Sequence, residues 1–424
     1  MKQLTNKRFN ETIYSTILEN GLTVYIAHKP NFRQSVCVLS TSFGAIDLHQ
    51  KINGKEITWN AGLAHFLEHK LFEKQEMDVL SMFTNLGANA NAYTSYQETN
   101  YYFSTTFPLD KPLNLLLDFV QSVDLTHQSV EKEKGIIIEE LKMYQEIPNF
   151  QMVMKSFDAL YHHHGLKYDI AGSVESVNAI TKDELEKAYY ANYHPSQMIL
   201  SIATSLDPLE VLEIVKKNQQ NKSFEPAIVV EPLKIIEPKE VQSTYEHYIM
   251  NVNRQKNAIT YKQNNFGSTP LENFRLSLIT RLILDMNFSS LEDTFQSYLD
   301  NGLINDSFSS SSEYGIDYGF IQFSSEGESM DVFEEFITEK LKSLTIDSDN
   351  LTLLKKRYLG QNISDLGDFE SVAIDNAKAH QLGTNLFELI QMVESIEVSD
   401  LEDALQHFDF TNKSKIIISN KKGD

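Results

Sequence analysis

The sequence has little of what cross-links or anchors a protein. Its 424 residues contain a single cysteine, Cys37, which excludes a framework of internal disulfides. Cys37 lies in an apolar, strand-like run, so we expect it in the core. No stretch approaches the roughly 20 apolar residues that a membrane-spanning helix needs. The N-terminus has no continuous apolar segment and no small-residue cleavage site typical of a secretory signal. We therefore expect a cytoplasmic protein without a membrane span.

Positive charge is also scarce. Lysine and arginine together number 37 against 59 aspartates and glutamates, which gives a formal net charge of −22 at pH 7. This balance disfavours nucleic acids and anionic membrane surfaces as partners. It favours basic or neutral peptides as ligands.

The length and the order of the predicted elements indicate two domains. A chain of 424 residues, 41% of them hydrophobic, can form two cores in domains of about 200 residues each. In both halves, strands precede a helix, a hairpin and two further helices, and in the second half the first helix is predicted to run over residues 271–299. We place the domains at residues 1–222 and 241–424, joined by a semi-rigid, proline-containing linker over residues 223–240.

The most informative segment is residues 65–69, with the sequence HFLEH. Residues four apart on a helix share one face, so His65 and His69 can offer nitrogens to one metal ion while Glu68 flanks the same place. Zinc accepts nitrogen and oxygen ligands in tetrahedral geometry and keeps a position for water in catalytic sites. The order of the residues is the inverted zinc-peptidase motif HxxEH, with Glu68 as the base. An apolar stripe would bury the other side of this helix: Leu63, Phe66, Leu67 and Leu71.

A third ligand is expected from the acid-rich helix predicted over residues 130–145. Glu133 and Glu140 are seven residues apart, which places them two turns apart on nearly one face, and Glu139 points about a quarter-turn away. The spacing nominates Glu133 and Glu140 without deciding which of them contacts the metal. For either residue alone, a solvated acidic helix face is the alternative.

Two other polar runs attract attention. His162, His163 and His164 are consecutive, and neighbouring side chains on a helix or strand diverge, so we predict a solvated surface triplet and no metal site. Residues 307–312 (SFSSSS) follow no strand-to-helix phosphate-loop pattern. We predict a strand and a turn there.

Several segments resemble the pitrilysin/insulinase clan of zinc peptidases, above all the half-length bacterial members similar to the β subunit of the mitochondrial processing peptidase. The resemblance rests on residues 64–69 (AHFLEH), 87–95 (GANANAYTS) and 133–141 (EKGIIIEEL). It continues at residues 20–24, 193–196 and 302–308 and so spans nearly the whole chain. It implies an α+β fold, an α/β sandwich of two similar halves. Each half is a mixed, mostly antiparallel sheet with helices packed on it, and the two together form one half of a clamshell.

The same resemblance implies roles for individual residues. The third zinc ligand falls on Glu140, and Glu133 becomes a supporting residue behind the site. Asn91 and Ala92 would lie on the edge strand that holds the substrate backbone beside the metal; from the residues alone, an ordinary edge strand is the alternative. The corresponding helix of the second half, around residues 280–285, has no histidine, so we expect one zinc per chain.

The second half departs from the family pattern. Many members carry an Arg and a Tyr, four residues before and three residues after the glycine of a Gly-Leu pair, and these contact substrate opposite the zinc. Around Gly302 this chain has Tyr298 and Asn305 at those positions. In some bacterial relatives one subunit bears zinc and a paralogous partner bears the Arg and Tyr. We expect a heterodimer with a paralogous subunit that lacks HxxEH, with a homodimer as the alternative.

The sequence thus predicts a zinc-dependent endopeptidase that hydrolyses peptides or unfolded polypeptide segments in a closed chamber. His65, His69 and Glu140 would hold Zn²⁺, and Glu68 would take a proton from the zinc-bound water and pass it to the leaving amine. The alternative function is a non-catalytic peptide-binding or scaffold subunit of a processing-peptidase-like complex.

Overall fold

The structure is a computed structural model that describes residues 1–73, 78–327 and 329–420. The first half contains the following strands and helices, in chain order: β1 (Lys2–Asn6), β2 (Glu11–Ile17), β3 (Thr23–His28), β4 (Ser35–Thr41), β5 (His49–Ile52), β6 (Lys55–Thr58), α1 (Leu63–Phe72), α2 (Val79–Asn85), β7 (Ala88–Thr94), β8 (Thr99–Thr105), α3 (Asp110–Val120), α4 (His127–Gln145), α5 (Pro148–Leu160), α6 (Val174–Ala179), α7 (Lys182–Asn192), β9 (Met198–Thr204) and α8 (Pro208–Gln220).

The linker contains one short strand, β10 (Val230–Pro232). The second half contains the following strands and helices, in chain order: β11 (Tyr245–Ile249), β12 (Lys256–Lys262), α9 (Pro270–Asn287), α10 (Phe295–Asp300), β13 (Ser309–Gly315), β14 (Tyr318–Glu326), α11 (Met330–Lys342), α12 (Ser348–Asp365), α13 (Phe369–Gln381), α14 (Leu386–Gln391), α15 (Val398–Gln406) and β15 (Lys413–Ser419). No helix within the described ranges is long and apolar enough to cross a lipid bilayer.

The main sheets of the two halves share an order of five strands, and the first sheet has two further strands, β1 and β2, beyond β3. The first sheet runs β1-β2-β3-β9-β4-β8-β7 and the second runs β11-β15-β12-β14-β13. In each sheet a single parallel pair, β3 with β9 or β11 with β15, is followed by antiparallel neighbours. When the parallel pairs are aligned, β7 and β13 become equivalent outer strands. The expected fold class, two similar halves with mixed and mostly antiparallel sheets, is confirmed.

The strand β4 shows why the first sheet is stable. All seven of its residues are buried, because helices cover both faces of the sheet. Cys37 and Leu39 join the large core beneath α1, α3 and α4, whereas Val36 and Val38 pack in a second cluster with α13 and α14. The expectation that Cys37 lies in the core is confirmed.

Each half also covers a sheet of the other. The helix α13 from the second half packs on β4 and β9, and α5 from the first half packs on β12 and β15. In the latter contact, Met152 and Ala159 join an apolar cluster with Ala258, Ile416 and Ile418. The halves are therefore interlocked by exchanged helices. The domain boundaries at residues 222 and 241 stay a prediction.

The linker is fastened to both halves through Glu237. Its carboxylate accepts the backbone N–H groups of His162, His163 and His164 at 2.8, 2.7 and 2.9 Å and forms an ion pair of 2.8 Å with Lys262. This draws the loop inward, and His164 is only 9% exposed. The prediction of a solvated triplet is wrong for His164, because a carboxylate far along the chain binds the backbone of the triplet.

The predicted helix over residues 271–299 is also wrong in length. It is interrupted after α9, and α10 is a separate short helix. The side chain of Asn287, at the end of α9, donates to the carbonyls of Ile283 and Thr345, both at 2.9 Å. A tertiary contact with the segment between α11 and α12 therefore ends the helix, although apolar spacing continues beyond it.

The start of α1 requires two glycines in close backbone contact. Gly62, with φ of +90°, precedes the helix, and a Cβ there would lie 2.4 Å from the carbonyl oxygen of Ala171. Gly172, with φ of +86°, has the reciprocal contact with the carbonyl oxygen of Ala61 at 2.4 Å. Ser176 closes the junction by donating to the same Ala61 oxygen at 2.8 Å. The glycines fix where α1 begins, and so where its histidines lie.

We predict that Gly62→Ala lowers the free energy of unfolding by about 1–3 kcal/mol, since a side chain is strained at this φ. Gly135→Ala is the matched control, because Gly135 lies on the exposed face of α4, where an added Cβ would have no atom within 4 Å. That change should leave stability equal or raise it by about 0.5–1 kcal/mol. Calorimetric unfolding of both variants measures the difference, and equal midpoints would contradict this account of the junction.

Candidate metal centre

Two helices bring three ligand atoms together. The helix α1 presents His65 and His69 on one face, and α4 places Glu140 opposite them. Glu140 Oε2 lies 3.8 Å from His65 Nε2 and 3.5 Å from His69 Nε2. Among the described residues, this is the one group of at least three His, Cys, Asp or Glu side chains whose ligand atoms all lie within 4.8 Å of one another.

This geometry fits a zinc ion. Ligand atoms about 2.0–2.1 Å from a tetrahedral metal lie about 3.3–3.4 Å apart, close to the spacings between Glu140 and the imidazoles. Two nitrogens and one carboxylate oxygen are a donor set that zinc accepts, with room for a fourth ligand. Glu139 does not join this group: its side chain is 73% exposed and pairs with Lys142 at 2.7 Å. Residue spacing did not decide between Glu133 and Glu140. In the structure, the Glu140 carboxylate is the one that lies near Nε2 of both histidines.

Glu133 lies behind His69, on the side away from Glu140. His69 Nδ1 is 3.0 Å from Glu133 Oε1, so Nδ1 carries the proton and Nε2 is left to face Glu140. The Glu133 side chain is 8% exposed, and Lys70 Nζ approaches its other oxygen to 3.9 Å. Lys70 is itself held by the carboxylate of Glu73 and by the carbonyl of Ser129, the latter at 3.2 Å. This is the position expected of a residue that orients a metal ligand.

Glu68 has a separate anchor. Its Oε2 accepts a 2.7 Å hydrogen bond from the Thr94 hydroxyl, at the end of β7. Burial raises the pKa of Glu68 above its ordinary value, although the Thr94 hydrogen bond acts in the opposite direction. A buried carboxylate with a raised pKa beside the imidazoles is a stronger base than a solvated one.

The two histidines have different electrostatic surroundings. Burial lowers the pKa of His65 to about 3, with a smaller contribution from the nearby His69. For His69, burial acts to lower the pKa, but the hydrogen bond to Glu133 and the charges of Glu68 and Glu140 outweigh it, and the pKa is raised. His65 would thus offer a neutral nitrogen to a metal ion, whereas at His69 a metal ion would compete with a proton.

The segment expected to bind substrate is an outer strand. The strand β7 pairs with β8 on one side, and no strand within the described ranges lies on its other side. Asn91 is exposed and Ala92 is partly buried, midway along it. An exposed strand edge is where an extended peptide can add itself by main-chain hydrogen bonds. Its substrate role stays a prediction.

Tyr298 and Asn305 have local partners in the second half. The Tyr298 hydroxyl accepts a 2.6 Å hydrogen bond from Thr294, and its ring packs 5.0 Å from that of Phe336. Asn305 binds backbone on both sides, accepting the N–H of Ser307 at 2.9 Å and donating to the carbonyl of Glu326. Both side chains stabilise the region before the β13–β14 hairpin.

Sequence reasoning missed two contacts in the site. From the sequence, Thr94 belonged to a recognised motif but was given no role of its own. Lys70, which follows the second histidine, was given no role either. The signal for Lys70 was present, since a lysine among apolar helix residues needs a carboxylate partner when it is buried. The Thr94 contact depends on how β7 approaches α1, which spacing does not reveal.

Comparisons with known proteins agree with the geometry. Residues 27–174 match the family described as insulinase, peptidase family M16, and residues 179–355 match the peptidase M16 inactive domain. The uncharacterized zinc protease YmfH of Bacillus subtilis is 32% identical over 412 residues, 96% of each chain. The probable mitochondrial-processing peptidase subunit beta of Schizosaccharomyces pombe is 28% identical over 210 residues, 48% of this chain and 44% of that protein. The crystal structure of an M16-like peptidase from Alicyclobacillus acidocaldarius matches with a TM-score of 0.91 and 30% identity, over 96% of this chain and 98% of that one.

We predict that the purified protein holds about one zinc ion per chain. His65→Ala, His69→Ala and Glu140→Gln should each lose it on dialysis, because two ligands retain zinc poorly. Glu139→Gln is the control for charge and helix position and should keep its zinc. Elemental analysis decides, and full zinc content in Glu140→Gln would show that the ligand assignment is wrong.

Proposed function

The chain belongs to the insulinase family, peptidase family M16, and from that premise we propose that it is a zinc metalloendopeptidase. It would hydrolyse peptides or unfolded polypeptide segments in a closed chamber. The observation that carries the proposal is the convergence of His65, His69 and Glu140, with Glu68 held beside them by Thr94. A cytoplasmic location, expected from the sequence, is part of the same proposal.

His65, His69 and Glu140 would hold the metal. Zinc bound there would lower the pKa of water and polarise the scissile carbonyl. Glu68 accepts the proton of the attacking water and returns it to the leaving amine, a role that suits a carboxylate whose pKa is raised by burial. Glu133 keeps His69 in one tautomer, so that Nε2 stays available.

The substrate would lie along β7. An extended peptide that pairs with this outer strand would be held by main-chain hydrogen bonds near Asn91 and Ala92, which favours unfolded segments over folded proteins. Thr94, on the same strand, anchors Glu68, so one strand would carry both the peptide and the base. The net charge of −22 favours basic or neutral peptides.

A non-catalytic peptide-binding or scaffold subunit is the second candidate. It is favoured by the match of residues 179–355 to the inactive domain of the family. The intact ligand cluster lies outside that range, in the first half, which weighs against it. Bound zinc together with peptide turnover would separate the two functions.

The working assembly is proposed to be a heterodimer with a paralogous subunit that lacks HxxEH, and a homodimer is the alternative. One relative is named as the beta subunit of a processing peptidase. The positions where many relatives carry an Arg and a Tyr are occupied by Tyr298 and Asn305, which are engaged in local contacts. The opposing wall of the chamber would then come from the partner.

We predict that Glu68→Gln keeps its zinc and its fold but loses turnover by a factor of about a hundred or more. The amide can accept the Thr94 hydrogen bond but cannot accept the proton of the attacking water. Peptide cleavage assays with zinc content measured on the same sample test this, with Glu139→Gln as the control. Wild-type turnover in Glu68→Gln would contradict the proposed mechanism.

We predict further that the isolated chain cleaves unfolded peptides weakly and that the paralogous subunit restores turnover. Two walls are needed to orient a peptide against the site and to exclude bulk water. Light scattering gives the assembly state and a peptide assay gives the rate. Full activity of a monomer or homodimer, unchanged by any paralogue, would refute the division of labour.

A further inference from the structure

The turn between β7 and β8 lies next to the proposed base. It comprises residues 95–98 and directly follows Thr94, whose hydroxyl binds Glu68. Thr99, on the other side of the turn, donates to the carbonyl of Phe43 at 2.8 Å. The position of the turn therefore sets where the Thr94 hydroxyl is placed, and with it the Glu68 carboxylate.

The first half supports one side of this turn through its backbone. The N–H groups of Ala45 and Ile46 donate to the carbonyls of Ser95 and Tyr96 at 2.9 and 3.0 Å. Gly44 makes this approach possible, since a Cβ there would lie 2.4 Å from the Tyr96 carbonyl oxygen. These contacts hold the turn against the sheet.

The second half reaches the same turn from the other side. Gln97 Nε2 donates to the Tyr318 hydroxyl at 2.9 Å, and that hydroxyl donates to Glu313 Oε1 at 2.6 Å. Tyr318 is 1% exposed, so its geometry is fixed by its surroundings. A hydroxyl that donates to a carboxylate is polarised and is a better acceptor for the amide of Gln97.

Packing around this contact is tight on one side and open on the other. Tyr96 packs edge-on against Phe157 at 6.1 Å, and Phe157 lies 4.9 Å from Phe320, in an apolar cluster that also contains Tyr318. Beside it, Gln97 and Glu313 line a cavity of about 700 Å³ between the halves. Because packing is incomplete there, the hydrogen bond from Gln97 to Tyr318 has more influence on the turn.

We propose that the metal-free half positions Glu68 through the β7–β8 turn, with Tyr318 and Gln97 as the positioning residues. The proposal rests on the proposed role of Glu68 as base. Neither residue touches the ligand atoms. They act through the turn and the Thr94 hydroxyl, so the second half contributes to the reaction rate as well as to the fold.

The test compares two buried tyrosines of the same apolar cluster. Tyr318→Phe removes the hydroxyl that holds the turn, whereas Tyr161→Phe removes one that donates to the Gly319 carbonyl at 3.1 Å and does not contact the turn. Both tyrosines are 1% exposed, so Tyr161→Phe controls for the loss of a buried hydroxyl from the same cluster. The wild-type chain is first assayed alone and with the paralogous partner. All variants are then compared under whichever of these two conditions gives the higher wild-type turnover.

We expect kcat to fall about tenfold in Tyr318→Phe, with KM and zinc content unchanged, because small displacements of a catalytic group are costly. Gln97→Met should reproduce the effect. Because Gln97 is exposed, this second variant tests the same hydrogen bond without altering the core, in case Tyr318→Phe misfolds. Tyr161→Phe should keep the wild-type kcat. In a Thr94→Val background, where the transmitting hydroxyl is gone, Tyr318→Phe should cost nothing further.

Unchanged kcat in both Tyr318→Phe and Gln97→Met, or an equal loss in Tyr161→Phe, would overturn the proposal. Independent, additive losses from Tyr318→Phe and Thr94→Val would overturn the route through Thr94. A wild-type chain that binds zinc but never cleaves peptides, in any assembly, would instead overturn the proposed function.

Discussion

The approach of Glu140 Oε2 to two imidazole nitrogens, at 3.5 and 3.8 Å, is the constraint on which the rest of the molecule depends. Three ligands on two helices can converge only if α1 and α4 are held in one relative position. The shared apolar core beneath both helices and the glycine junction before α1 provide that rigidity. A site built on packed helices keeps its geometry better than one built on loops.

The second half contacts the first half at several places near the site. Its helix α13 covers a face of the sheet that carries β7, and α5 of the first half covers the second sheet. Glu237 ties the linker to the His162–His164 loop and to Lys262, next to the cluster that contains Tyr318. The halves are thus in contact close to the turn that precedes Thr99, and the proposed positioning of Glu68 by the second half would act through these contacts.

Much of the site could be predicted from sequence because it is local. His65, Glu68 and His69 lie within about one helical turn, and helix periodicity alone places them together. Glu140 could not be singled out by spacing, since the choice between Glu133 and Glu140 depends on how α4 sits against α1. The family resemblance supplied that choice. The role of Thr94 could not be predicted for the same reason, because its contact with Glu68 depends on how a strand packs against a helix.

The fold shows the same division. The similar succession of strands and helices in the two halves was expected from the sequence, because alternating apolar residues and hairpin turns are encoded locally. The end of α9 at Asn287 and the burial of His164 were missed, and both depend on side chains that bind distant backbone: Asn287 to Thr345, and Glu237 to the histidine loop. Local sequence patterns cannot predict such long-range contacts.

The most direct test of the central claim is anomalous diffraction at the zinc edge from crystals of the zinc-loaded protein. The account predicts one anomalous peak per chain, within bonding distance of His65 Nε2, His69 Nε2 and the Glu140 carboxylate, at about 2.0–2.1 Å. Glu133 would contact His69 and not the ion. A peak elsewhere in the molecule, or one coordinated by Glu133 in place of Glu140, would contradict it.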